Sequence, residues 1–235
     1  MTDKYRKHWQ DKTDAGHRYH DESWFKKLAE ELLHLFPVRG TLLDVGCGNA
    51  EILTYLAPHF DKVIGIDISD SMLTEAEKRA KQFGISNIRF AQADACQFPE
   101  FIDKADLVLS YQLIQHLDEG EISRHLQECR RVLSPKGMIG MCSILWANLK
   151  YLFRAGGLRS KPLSPFNLLI KYHQRIPRKA ISWLRHGVYP ADIMGFWHTH
   201  DQVKFFAARE GFDCEIVNSW YYEYRFHAIL NHRGD

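Results

Sequence analysis

The chain has 235 residues, 45% of them hydrophobic, and its 31 Lys and Arg against 29 Asp and Glu leave a net charge of +2. One substantial core can be built from this, and the near-neutral balance of the whole chain points to neither nucleic acid nor a membrane surface. Five scattered cysteines (47, 96, 129, 142 and 214) form no C-x-x-C pair, which argues against a disulfide framework or a zinc site and for a reduced, cytoplasmic protein.

Residues 1–36 read as helical, and the amphipathic run SWFKKLAEELLHLF (23–36) is expected to pack over the edge or mouth of a sheet. The opening MTDKYRKHWQDK has no apolar signal-peptide core. Thr41–Val45 is a first strand, ending in Asp44-Val45-Gly46-Cys47-Gly48, and Ala50–Pro58 reads as a helix. VIGID (63–67) has no polar face, as a strand covered on both sides requires. Ser69 or Asp70 can cap the next helix, which runs to Gly84. NIRFAQAD (87–94) and DLVLSY (106–111) are the third and fourth strands. The segment 119–133 places apolar residues at 122, 126, 129, 132 and 133, a helical period. Pro135-Lys136-Gly137 reads as a turn before a fifth strand, 138–144. The apolar run 137–149 is shorter than the ~20 residues that cross a bilayer.

Residues 147–200 differ in composition. Nine Lys or Arg face one acid, Asp192, a local charge of +8, and four of the eight prolines fall here. A cap inserted over 145–200 is the expectation. The pattern then resumes with a helix (201–211), a strand (212–220) and a last strand (223–230), the latter two joined tightly as an antiparallel edge hairpin. Strands alternating with crossover helices predict an α/β fold, a doubly wound, mostly parallel, seven-stranded Rossmann-like sheet. The expected layout is a single domain: an N-terminal helical segment (1–36), a ligand-binding core (37–144), the basic cap, and a C-terminal helix and hairpin (201–235).

Gly46 and Gly48 lack Cβ, so the backbone can turn sharply and approach a ligand closely. Asp67, nineteen residues after Gly48, stands where a carboxylate accepts hydrogen bonds from ribose hydroxyls. Ligands of such sheets bind beyond the carboxyl ends of the strands, so Asp44, Asp67, Asp94 and Tyr111 should converge there. Residues 46–51 read G-C-G-N-A-E, with Glu51 where a pyrophosphate-binding turn has its third glycine, and no G-x-x-x-x-G-K-[ST] loop exists. An acid-rich site suits a ligand that lacks phosphates and carries positive charge.

DVGCGNAEIL, GIDIS, AQADACQFP, DLVLSYQLIQHL and RRVLSPKGMI resemble, in order and spacing, the motifs of class I S-adenosylmethionine-dependent methyltransferases. The resemblance covers roughly residues 38–144, and 201–230 fits that family's edge hairpin. Ala50 departs from it, standing where the family's loop usually has another glycine. The resemblance implies that Asp44, Gly46, Cys47 and Gly48 line the methionine moiety and that Asp67 holds the ribose, with Ile68 and Met72 beside the adenine. Asp94 and Ala95 would meet the adenine amino group, and Tyr111 and Gln112 would begin the loop between cofactor and acceptor. It further implies methyl transfer from S-adenosylmethionine, with S-adenosylhomocysteine as product.

The acceptor side is less defined. His116, after the fourth strand, is a candidate general base, or it packs beneath the loop. His198 and His200 form an H-x-H pair without a third ligand, which reads as a helix entry rather than a metal site. Of the N-terminal aromatics Tyr5, Trp9, Tyr19 and Trp24, Tyr19 is the one expected to touch the ligand and Trp24 the one expected in the core. The basic cap would hold an anionic small-molecule acceptor, rest on anionic lipid or a lipid-linked substrate, or stand as a solvated surface. Nucleic acid has the least support, for no base-methylation motif follows the fourth strand. The expected activity is methylation of an O or N on a small or medium, anionic metabolite, sugar or natural-product intermediate. The alternatives are a module that binds the cofactor without turnover and a methyltransferase acting on a lipid-linked or macromolecular acceptor.

Overall fold

The computed structural model describes residues 9–10, 22–146, 198–222 and 225–234. Tyr19 and nearly all of the expected basic cap lie outside the described residues. Among the described residues, no helix is long and apolar enough to cross a membrane.

Among the described residues, seven strands form one sheet in the order β3-β2-β1-β4-β5-β7-β6. They are β1 (Thr41–Val45), β2 (Lys62–Asp67), β3 (Ile88–Gln92), β4 (Ala105–Tyr111), β5 (Leu133–Leu145), β6 (Phe212–Asn218) and β7 (Arg225–His232). The first five run parallel, while β7 pairs antiparallel with both β5 and β6. This is the doubly wound sheet with an antiparallel edge hairpin that the alternating pattern predicts.

Strand residues alternate between two apolar layers, as the period of two demands. Leu43, Val45, Ile64, Val108 and Ile139 meet helices α4 (Glu119–Val132) and α5 (His200–Arg209) on one face. Leu42, Val63, Leu107 and Leu109 meet α1 (Glu22–Leu35), the short α2 (Leu53–Leu56) and α3 (Asp70–Gln82) on the other. The helix ends follow their caps: the Ser69 hydroxyl accepts the Met72 N–H, and Asp118 with Glu121 forms a capping box for α4.

Several expected boundaries shift, each for a local reason. The helix over 50–58 shrinks to one α turn at 53–56 followed by a 3-10 turn, Ala57–His59. Ala50 takes φ +60°, a left-handed conformation that no helix can include. The turn at 135–137 lies within β5, which begins at Leu133. Leu133 pairs with Ala105 and Met138 with Leu107, so the extra residues are absorbed as an irregularity in the ladder. β3 stops at Gln92, leaving Asp94 to an isolated bridge with Gln97. β6 ends at Asn218, so Trp220, Tyr221 and Tyr222 belong to the hairpin link, with Trp220 about half exposed at 52%. Their ladder is interrupted because the buried Glu31 carboxylate of α1 accepts the Trp220 N–H at 2.7 Å and the Ser219 hydroxyl at 3.3 Å.

Candidate cofactor site

The carboxyl ends of β1, β2 and β4 open into a cleft. It sits between β1 and β4, where the chain reverses its direction of winding across the sheet. At its floor, the N–H groups of Gly46 and Cys47 both reach the Ile66 carbonyl, at 2.7 and 3.0 Å, tying the turn after β1 to β2. Gly46 and Gly48 have φ of +73° and +53°, so both need the glycine they have. A Cβ on Gly46 would come within 3.0 Å of the Leu113 side chain on the facing wall.

Asp67 has a second task beside the one expected. Its two carboxylate oxygens accept the Gly48 N–H at 2.8 Å and the Ser69 N–H at 2.9 Å, fastening the glycine turn to the start of α3. Each oxygen keeps a further lone-pair direction, and Asp67 lines the cleft. Burial raises its pKa against those backbone hydrogen bonds. Arg79 braces the turn from behind: its Nε donates to the Asn49 carbonyl at 3.1 Å, and its guanidinium lies 3.7 Å from Glu51.

Gly46, Cys47, Gly48, Asp67, Ile68, Met72, Asp94, Ala95, Tyr111, Gln112 and His116 all line this one cleft. Asp44 does not. It is buried beneath the turn at 1% exposure, and neither of its carboxylate oxygens has a hydrogen-bond partner. Burial, aided by the charge of Asp67, pushes its pKa up to about 8. The Cys47 thiol is held well above its ordinary value, first by burial and then by the same two carboxylates. Tyr19 lies outside the described residues.

The wall facing the turn comes from the loop after β4. Gln112 has φ +54°, its N–H bonds the Cys142 carbonyl at 2.9 Å, and its amide donates to the Tyr111 hydroxyl at 2.7 Å. Burial pushes the Tyr111 phenol up, so it stays neutral. His116 closes a 3-10 turn, Ile114–His116, and takes the edge of the Trp9 ring at a centroid distance of 4.7 Å. The Gln115 amide is 3.3 Å from its Nε2.

Sequence reasoning missed Phe25, Asn49, Ile52, Ala93, Leu113 and Leu117, all on the cleft wall. Phe25 was legible only as a member of the apolar face of α1, with nothing local to show what that face covers. Trp24, expected in the core, is instead half-buried among Phe25, Tyr111 and Tyr222 at the rim. His198 and His200 do what a helix entry requires. Thr199 between them caps α5, His200 stacks on Trp146 at 4.3 Å, and His198 is buried against Phe206 with its pKa pushed down to about 4.

Glu51, Asp67 and Asp94 line the cleft, and among its described lining residues there is no Lys or Arg. Such a wall repels phosphates and attracts cations. With the unpartnered Asp44 carboxylate beneath and the glycine turn at its floor, the residues fit S-adenosylmethionine, a sulfonium with an α-ammonium group and no phosphate. The known proteins agree. Residues 42–137 match the family described as "Methyltransferase domain". Over 131 residues the chain is 32% identical to a demethylmenaquinone methyltransferase of Thermotoga maritima, covering 55% of this chain and 54% of that one. It is 28% identical over 151 residues to a ubiquinone biosynthesis O-methyltransferase of Coxiella burnetii, covering 62% of each. The chain thus spans about half to three fifths of the length of the curated relatives it matches. The PH0226 protein of Pyrococcus horikoshii shares the fold at a TM-score of 0.64 and 23% identity, over 99% of both chains. Residues 42–137 of this chain are therefore a methyltransferase domain.

Proposed function

We propose that this protein transfers a methyl group from S-adenosylmethionine to an O or N of a small or medium, anionic acceptor such as a metabolite, sugar or natural-product intermediate. The observation that carries the reading is the cleft at the switch point of the sheet, lined by three acids and by no Lys or Arg among the described residues. Bound S-adenosylmethionine supplies a methyl group on a sulfonium, ready for in-line displacement. Asp67 accepts the ribose hydroxyls while keeping the glycine turn closed, and Asp94 and Ala95 face the base. Trp9, Phe25, Tyr111 and Leu117 exclude water from the methyl end and align the acceptor, which supplies much of the rate in a displacement of this kind. His116, on the same wall, takes the acceptor proton as the new bond forms.

One curated relative is named as a demethylmenaquinone methyltransferase and another as a ubiquinone biosynthesis O-methyltransferase, which supports a small-molecule acceptor over a macromolecular one. The nine cations and single acid of residues 147–200 support an anionic one. S-adenosylhomocysteine at a hundred times its dissociation constant should stabilise the protein by about 2.7 kcal/mol, read as a rise in Tm, while NAD and NADP leave Tm unchanged. A rise with NAD alone rejects the reading. Binding without turnover across a broad panel of hydroxy acids, phosphosugars and amines would leave a cofactor-binding module instead.

A further inference from the structure

The side of the cleft assigned to adenine is carried by a short turn, not by a strand. The Asp94 carboxylate accepts the Cys96 N–H at 2.8 Å, and the Asp94 carbonyl accepts the Gln97 N–H at 3.0 Å. The β2–β3 pairing ends just before it, where the Asp67 carbonyl accepts the Ala93 N–H at 3.0 Å, so the height of the turn beyond that point also depends on what grips it from outside. Helix α4 supplies the grip along one face. The Glu121 carbonyl accepts the Cys96 thiol at 3.4 Å, the Glu128 carboxylate accepts the Phe98 N–H at 2.8 Å, and Arg131 donates to the Phe98 carbonyl at 3.3 Å. Positions 121, 125, 128 and 131 share one helical face, at spacings of four, three and three.

His125 is the member of that stripe that touches a residue lining the cleft. Its Nδ1 lies 2.8 Å from the carbonyl of Ala95, a residue of the cleft wall. A carbonyl only accepts, so Nδ1 carries the proton. Nε2, 2.8 Å from the Ser110 hydroxyl, is then the acceptor of the neutral ring. The ring is fully buried, packs edge-on to Phe98, and has its pKa pushed down to about 4 by that burial. Ser110 is on β4, so the imidazole joins the sheet to the turn through one rigid plane, with both nitrogens in use.

We propose that His125 is a positioning residue for cofactor selection: through the Ala95 carbonyl it sets the Asp94–Ala95 turn at the height that distinguishes adenine from other bases. The inference rests on the reading that this turn faces the base. Adenine offers an amino donor to an acceptor held there; hypoxanthine offers a carbonyl, which leaves that acceptor unpaired. A turn free to shift would accommodate both.

The test compares S-adenosylhomocysteine with S-inosylhomocysteine by calorimetry. In His125→Leu, the dissociation constant of the adenine ligand should rise about tenfold while that of the hypoxanthine ligand changes less than twofold, so the ratio collapses. In His125→Asn, whose amide nitrogen can stand where Nδ1 stood, the parent ratio should be kept. Should His125→Leu fail to fold, Ser110→Ala carries the test, since it releases Nε2 and should lower the ratio part-way. A folded His125→Leu, or in its place Ser110→Ala, that keeps the parent ratio overturns the proposal. So does an equal loss for both ligands, which marks general packing. Asp94→Asn separates this from the underlying reading. If it also leaves the ratio unchanged, the placing of the base is wrong; if it collapses the ratio where His125→Leu does not, only the positioning role falls.

Discussion

The two halves of the sheet are built by different means. The parallel half, β3 to β4, makes its cleft from backbone: a glycine turn, N–H groups gathered on Ile66 and on Asp67, and a tight turn at Asp94. The antiparallel half is pinned by buried polar side chains. Glu31 reaches the hairpin link, its Oε1 lies 3.3 Å from His227 Nε2, His227 Nδ1 accepts the Ser143 N–H, and Arg225 donates to the Ser143 carbonyl at 2.6 Å. Ser143 is itself left-handed, at φ +57°, where β5 breaks step with β7. A backbone cradle keeps its shape with few obligatory side chains, whereas a buried polar cluster fails when any one member is removed. The first arrangement suits a fixed cofactor, the second a surface that must be shaped for one acceptor.

The difference can be broken at its strongest point first. Glu31→Ala removes the acceptor for the Trp220 N–H and the Ser219 hydroxyl and leaves His227 beside an empty site. Urea denaturation should show a loss of about 3–5 kcal/mol, the usual cost of taking one partner from a buried polar pair, while the folded variant binds S-adenosylhomocysteine within twofold of the parent. A loss below about 1 kcal/mol would mean that apolar packing alone holds this half.

Acid should act on the same side. His198 titrates near 6.5 in the unfolded chain and at about 4 in the fold, so across that window only the unfolded chain binds the proton. The stability it contributes is complete above pH 6.5 and is lost as pH falls toward 4, by about 3 kcal/mol. His198→Leu abolishes that term, so relative to the parent it should gain about this much between pH 7 and pH 4 in denaturant titrations of the free protein. Asp44 acts with the opposite sign, losing stability as pH rises from 3.8 toward 8, and is common to both proteins. Parallel curves for parent and variant would show that His198 is not held neutral.

The smallest effect belongs to the cradle. Asp67→Ala should weaken S-adenosylhomocysteine binding by about 1.5–3 kcal/mol, the range for hydrogen bonds to a charged group, and because it also frees the Gly48 and Ser69 N–H groups, Tm should fall, by less than in Glu31→Ala. A drop in Tm as large as that of Glu31→Ala would erase the contrast between the halves.

The same contrast governs what the sequence alone reveals. The cradle was legible because its parts are near in sequence or set by strand ends: Gly46, Gly48, Asp67, Asp94 and Tyr111 could be placed from spacing and periodicity. Ala50 is instructive, for its left-handed φ shows why a glycine is usual there, yet its residue type suggested helix. Glu31 could not be read at all. It stands beside Glu30 in an amphipathic run, where an acid reads as solvent-facing, and its burial depends on Ser219 and Trp220, 188 and 189 residues further on. Nor could His125 be told from any other helical histidine, because its meaning lies in two partners on other elements, Ser110 and Ala95.

That long separation has a consequence for how the molecule is made. Helix α1 leaves the ribosome well before the backbone donor its Glu31 needs, which lies 189 residues further along the chain. At roughly 5–20 residues per second, α1 waits some ~10–40 s with a carboxylate designed for burial still in water. The cofactor cradle, complete once β5 has emerged, can form before then; the acceptor side closes only when the β6–β7 hairpin folds back onto α1.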